Sequence, residues 1–258
     1  MDYRNSSLMK SLEASNWNSN GSDFHIFNSQ DELICYLLRS TEGNWWREEY
    51  GRYDFEQCLF KFEVKQWIGD FEKPVCFENA TFIKPVTFEG LKFKQNAEFG
   101  GCTFNRHVNF SNTTFFKSFS PCSFDSSVNF SGATFKEAII FWRKRFHGVA
   151  NFRATKFEKS IDFDESKFES EFIFHDSIIQ GDVNFQHVEF LGKVNAWKIE
   201  CAGNISFKWA DFRDKANFSE LSAETGNVCL HGTNFEQNAY FYGSKVKELN
   251  LRKSVIEK

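Results

Sequence analysis

The chain has 258 residues and a net charge of −4, and 41% of its residues are hydrophobic, 34 Phe among them, which is enough for a substantial core. With 15 Gly and 3 Pro it is not a Pro/Gly low-complexity chain. No apolar run approaches the ~20 residues of a membrane span, the N-terminus lacks a signal-peptide core, and 7 Cys without a CxxC pair fit reduced thiols, so no membrane and a cytoplasmic location are expected.

Residues 1–54 form a segment of their own. "NSSLMKSLEASNWNSNGS" is polar, and "SQDELICYLLRS" then predicts a short helix with Ser29 as N-cap and Glu32 completing a capping box. Leu33, Ile34, Tyr36, Leu37 and Leu38 cover most of its circumference, so the helix needs burial. Trp45 and Trp46 follow, and we expect the helix and this pair to cap the open end of the next unit, residues 55–258.

From Phe55 the chain counts in alternating steps of five and six, and every eleventh residue repeats, as in Phe77, Phe88, Phe99 and Phe110. Two residues before each Phe stands a small or branched apolar residue, such as Val86, Ala97 and Val108. That spacing puts both on one face of a three-residue extended segment, with a polar residue between them facing out. Dipeptides such as "SG" and "EG" suit tight corners. The count reads as slipping by two residues at "FFKSF", between Phe115 and Phe119, with Phe119 resuming the series. One extra residue falls near "SAETGN". Gln66, Lys117 and Lys144 stand at expected inward positions.

Neither a helix nor a sandwich gives this count, whereas a solenoid stacks each Phe on its equivalent one coil away. Sheets face each other about 10 Å apart. A coil of 11 residues has too little chain to span that distance and form its sides. A coil of 22, with sides of five and six, is expected, and about nine coils fit the chain. The Asn of the "NFS" triplets at 109, 129 and 217 recurs at one repeat position and reads as structural.

"VNFSGATF" and "ANFRATKF" resemble the pentapeptide-repeat family in its Phe-centred variant, over roughly residues 55 to 250. The resemblance implies an all-β solenoid, a right-handed quadrilateral β-helix of about nine coils, here with a short α-helical N-terminal cap. Relatives that bind DNA gyrase imitate duplex DNA, and end-to-end homodimers occur. Here the final apolar residues Val246, Leu249 and Leu251 would supply such a dimer surface.

No nucleotide-binding, nucleophile-elbow or metal motif is present, so neither an enzyme nor a cofactor is expected. The inward Phe are core. Binding candidates are the off-phase aromatics Phe116, Trp142, Trp197, Trp209, Tyr240 and Tyr242, together with the basic run Arg143, Lys144 and Arg145. One coil on, Arg143 should meet Glu165, and Arg145 should meet Lys167. Residues 55–258 hold 26 acidic and 26 basic residues, a balance that weakens the DNA-mimic analogy. The expected function is therefore a non-catalytic scaffold for a protein partner. The alternatives are modulation of a type II topoisomerase or another DNA-binding enzyme, and direct nucleic-acid binding through the basic corner.

Overall fold

The computed structural model describes residues 25–41, 51–252 and 255–256. Its strands are mostly two residues long, such as Val128–Asn129 and Thr134–Phe135. Burial alternates along each segment: Val128 and Phe130 are buried and Asn129 between them is half-buried. So short a strand has no hairpin partner and bonds to its equivalents in neighbouring coils. Val108 pairs with Val128, and Val128 with Ala150, all in parallel register. The usual offset is 22 residues, as from Lys167 to Glu189. The result is a parallel β-solenoid of about nine turns with four strands in each turn.

The four sides are named here in chain order within a coil. Side I carries Phe60, Phe82 and Phe104, side II carries Val86, Val108 and Val128, side III carries Phe93, Phe115 and Phe135, and side IV carries Val75, Ala97 and, further on, Ile139 and Ile161. Phe rings stack face to face along the columns, as Phe141–Phe163, Phe163–Phe185 and Phe185–Phe207 do at 5.0, 5.1 and 5.1 Å, with an edge-on exception at Phe152 and Phe174. Rings from different columns meet edge-on, as Phe152 and Phe163 do at 5.6 Å and 81°. Each buried ring contributes on the order of 2–3 kcal/mol from surface removed from water.

The five-six count is a count of corners. Corners II–III and IV–I are two-residue turns whose second residue has positive φ, as at Gly132 (φ 67) and Arg143 (φ 56). The turn closes by a bond such as Ala133 N to Phe130 O at 2.9 Å, the type II pattern. Corners I–II and III–IV are three-residue bends without positive φ, which adds the sixth residue. Asn109, Asn129 and Asn217 each accept, through Oδ1, the amide two residues on, at 3.0 Å. The Asn of the "NFS" triplets thus holds the start of a tight corner.

Three departures from the count have physical causes. Gln66 is exposed, and Trp67 fills the column in its place. Its ring stacks on Phe88 at 5.0 Å and its indole N–H donates to Thr87 O at 2.8 Å. The expected resumption of the large series at Phe119 is incorrect: Phe119 pairs with Ala97, so it holds a small-residue place. The two lost residues lie after it. Pro121 and Cys122 are adjacent, where Phe99 and Cys102 are separated by the turn Gly100–Gly101. Coil four therefore lacks its IV–I corner. The extra residue near "SAETGN" is a bulge between Ala223 and Asn227 within the long strand Ser222–Cys229.

At the N-terminal end, Ile26–Phe27 adds a parallel strand to Leu59–Phe60, ahead of residue 55, and Phe27 stacks on Phe60 at 4.9 Å. Helix α1, Gln30–Thr41, follows. Ser29 Oγ accepts the Glu32 amide at 3.2 Å, and the Glu32 carboxylate accepts the Asn28 amide at 2.8 Å. Leu33 and Leu37 join the solenoid core, and Tyr36 packs on Phe27 and Phe55 at 5.3 Å each. The side chain of Gln30 bonds to Lys65 N and Gln66 O, reaching the backbone of side II beside Val64. Trp45 and Trp46 lie outside the described residues.

Candidate interaction surface

Trp142 and Arg143 are the two turn residues of corner IV–I in coil five. Arg143 places its guanidinium 4.4 Å from the Trp142 ring and its Nε 2.7 Å from Glu165 Oε2, one coil on. The hydrogen bond from Arg143 lowers the Glu165 carboxyl, and the same bond raises Arg143. Arg145 stands opposite Lys167, which itself pairs with Glu189 at 2.7 Å. The basic and acidic runs of the sequence therefore interleave across coils, as their spacing predicts. Such exposed, solvent-screened pairs contribute little to stability. Lys144, at a small-residue place, is half-buried, and its amide donates to Ser166 Oγ at 3.0 Å. Among the described residues, Lys117, Lys144 and Arg145 have no carboxylate within ion-pair distance.

The structure gathers some of the candidate residues and separates others. Trp142, Arg143, Lys144 and Arg145 are contiguous at one corner, and Ile140 on side IV of the same coil extends their exposed patch. Phe116 and Lys117 lie exposed in the three-residue bend III–IV of coil four, at the other end of side IV. Trp209 lies on the same corner as Trp142 but three coils on, edge-on to His231. Trp197 is at corner II–III, half-buried and stacked on His175 at 4.6 Å. It does not join the others. Tyr240 and Tyr242 are exposed in the last coil. Sequence reasoning missed Ile140, because an outward place in a strand normally holds a polar residue and the run "AIIF" gives no sign of which Ile faces out.

Residues 70–114 and 141–189 match a family model described as pentapeptide repeats, in 9 copies. The chain carries pentapeptide repeats. The stretch between the two matched pentapeptide-repeat blocks, 115–140, contains the coil whose corner is missing. No curated protein and no solved structure matches the chain.

Other chemistry-bearing groups are taken up by the pentapeptide-repeat framework. Burial pushes the thiols of Cys58, Cys76 and Cys201 up, to about 12, 11 and 11. Cys102 donates to Phe77 O at 2.7 Å. His147 and His187 each face a carboxylate from a neighbouring coil, Glu169 at 2.8 Å and Asp164 at 3.1 Å. Asp54, Glu56 and Cys76 present ligand-type atoms within 4.8 Å of one another. Arg52 already sits on Asp54 (3.4 Å) and Glu56 (3.5 Å), and its positive charge opposes a cation there. Among the described residues, no helix is long and apolar enough to cross a membrane.

Proposed function

We propose that this protein is a non-catalytic scaffold that binds a protein partner on its outer surface, at the edge formed by Ile140, Trp142 and Arg145. One observation carries the reading: Ile140 is 59% and Trp142 47% exposed, side by side, and they adjoin cations without ion-pair partners. Exposed aromatic and Arg side chains anchor protein interfaces. The inward Phe are committed to the core, and the inward hydroxyls bond to backbone, as Ser177 Oγ does to Phe152 O at 2.8 Å. Affinity capture from native lysate with wild type, with Trp142→Ala and with the triple reversal of Arg143, Lys144 and Arg145 to Glu tests it. A partner held equally by all three proteins sinks this surface.

The balance of 26 acidic and 26 basic residues over 55–258 disfavours imitation of DNA, which needs a strongly acidic rod. A supercoiling assay with gyrase should therefore show no effect. The pairing of Arg143 with Glu165 lessens the appeal of the basic corner to nucleic acid, so a salt-dependent mobility shift of DNA or RNA should be absent. The C-terminal end favours self-association. Leu249 and Leu251 are exposed, and Val246 is half-buried in a strand, Lys245–Asn250, that among the described residues pairs only with Ser222–Cys229. A light-scattering mass of two chains at micromolar concentration, reduced to one by Leu249→Asp, is the expected result. A monomeric wild type refutes it.

A further inference from the structure

The missing corner of coil four makes a notch in the IV–I edge, directly beside Trp142. At other copies of this corner, the amide of the second turn residue donates to the carbonyl of the first turn residue one coil on. Asn79 donates to Gly100 at 2.8 Å, Arg143 to Asp164 at 3.0 Å and Glu165 to Gln186 at 3.0 Å. Coil four has no such residues, so the Gly101 amide on one side and the Trp142 carbonyl on the other have no backbone partner among the described residues. They face each other across two coil spacings, about 10 Å. The ladder of side IV breaks at the same point: the strand Phe119–Ser120 ends one sheet, and Ile139–Ile140 belongs to another. Phe104 and Phe124, beneath the notch, stack at 5.9 Å, wider than the 4.4 Å of Phe60 and Phe82 in the same column.

We infer that the notch receives an acidic, extended segment of a protein partner, whose main chain takes the place of the missing turn. This rests on the scaffold reading above and gives it a point of contact and a chemistry. A peptide carbonyl placed there accepts from Gly101, and a peptide N–H donates to Trp142 O, the two bonds that a complete corner makes. An apolar side chain of the segment packs on Ile140 and Trp142. The charge of the segment follows from Lys144 and Arg145 at the corner itself, with Lys117 at the far end of side IV; nearby Glu165 holds Arg143, and Glu137, the acid facing Lys117, holds Lys159. Unpaired cations at an interface select an anionic partner and steer its approach.

The test is fluorescence anisotropy on the full chain with a labelled peptide of alternating Asp and Leu, a Lys–Leu peptide, and oligo(dT). A variant with Gly-Gly inserted between Pro121 and Cys122 rebuilds the corner and fills the notch. The Asp–Leu peptide should bind wild type, while the insertion and Trp142→Ala should each weaken it about tenfold or more, the loss typical of an interface anchor. The Lys–Leu peptide should not bind. If the insertion variant does not fold by circular dichroism, Ile140→Asp carries the same expectation. Undiminished binding to a folded insertion variant, or no binding of the Asp–Leu peptide to wild type, overturns the inference. Equal binding of oligo(dT) shows that charge alone is recognised and overturns it as well. A lysate partner captured equally by wild type and the insertion variant leaves the scaffold reading standing without the notch, whereas capture of nothing by either protein removes both.

Discussion

Replacing Phe152 by Ala tests whether the ring columns form a rigid core. The Phe152 ring is fully buried. It stacks on Phe130 at 5.0 Å and meets Phe141 and Phe163 edge-on at 5.6 Å each. Truncations of this kind cost about 3–5 kcal/mol, depending on how far the site collapses. Here collapse is opposed by backbone bonds on both sides of the gap, Phe130 N to Asn151 O at 2.6 Å and Phe152 N to Ile173 O at 2.7 Å. The three aromatic contacts add about 0.5–1.5 kcal/mol each to what surface burial alone provides, so the loss should fall in the upper half of the range. Urea unfolding followed by circular dichroism measures it: the midpoint should fall while the slope is unchanged. A loss below about 1.5 kcal/mol would show that neighbouring rings close the gap, and the rigid-column reasoning would be wrong.

Thr155→Val removes a buried hydroxyl that donates to Phe130 O at 3.0 Å and should cost about 1 kcal/mol in the same assay. Ala154 holds φ 52 at a corner. Ala154→Gly relieves about 1–2 kcal/mol of left-handed strain against about 0.4–1 kcal/mol of added chain entropy, so the melting temperature should rise slightly, and a fall refutes the strain argument. Cys58, Cys76 and Cys201, with raised thiols, should resist iodoacetamide at pH 8 until denaturant is added, while the half-buried Cys229 reacts first; peptide mass mapping reads this out. Glu137, Glu158 and Glu165 are lowered from 4.5 by hydrogen bonds from Lys159, Lys136 and Arg143. Depressed carboxyls stabilise the fold fully above their unfolded values and lose that contribution as pH falls through the folded ones. Melting temperature should therefore drop only below about pH 4.5 and less steeply in high salt. A drop centred above about pH 5 contradicts the assignment.

The sequence made the columns legible because a Phe ladder tolerates few other phases. The 22-residue register then followed from the distance between facing sheets, and with it the Arg143–Glu165 pair. The position of the slip was not legible. A Phe fits the small-residue place once the corner beside it is gone, so counting from Phe115 to Phe119 assigns the loss to the wrong side of Phe119. Gln66 misled in a similar way. Trp67 is one residue out of phase, yet its long indole reaches the column, which a count of positions does not register. For the candidate surface, the sequence supplied Trp142 and the cations but treated the slip and the basic corner as two places. They are consecutive coils of one edge, and only the strand register shows it.

The two kinds of corner set a rule for how this chain changes length. A tight turn comprises two residues, so removing it whole keeps every later side chain on its own side of the wall, as in coil four. Losing a single residue would invert inside and outside from that point on. The single residue gained near Ala223 is absorbed differently, by a bulge in a strand that runs on without a turn. Corners thus behave as detachable parts of a modular tube. Deleting Ser131–Gly132 should open a second recess, on the edge between sides II and III, while the ring columns continue beneath it. Recesses on such a tube are placed by subtraction, leaving its hydrophobic interior as it was.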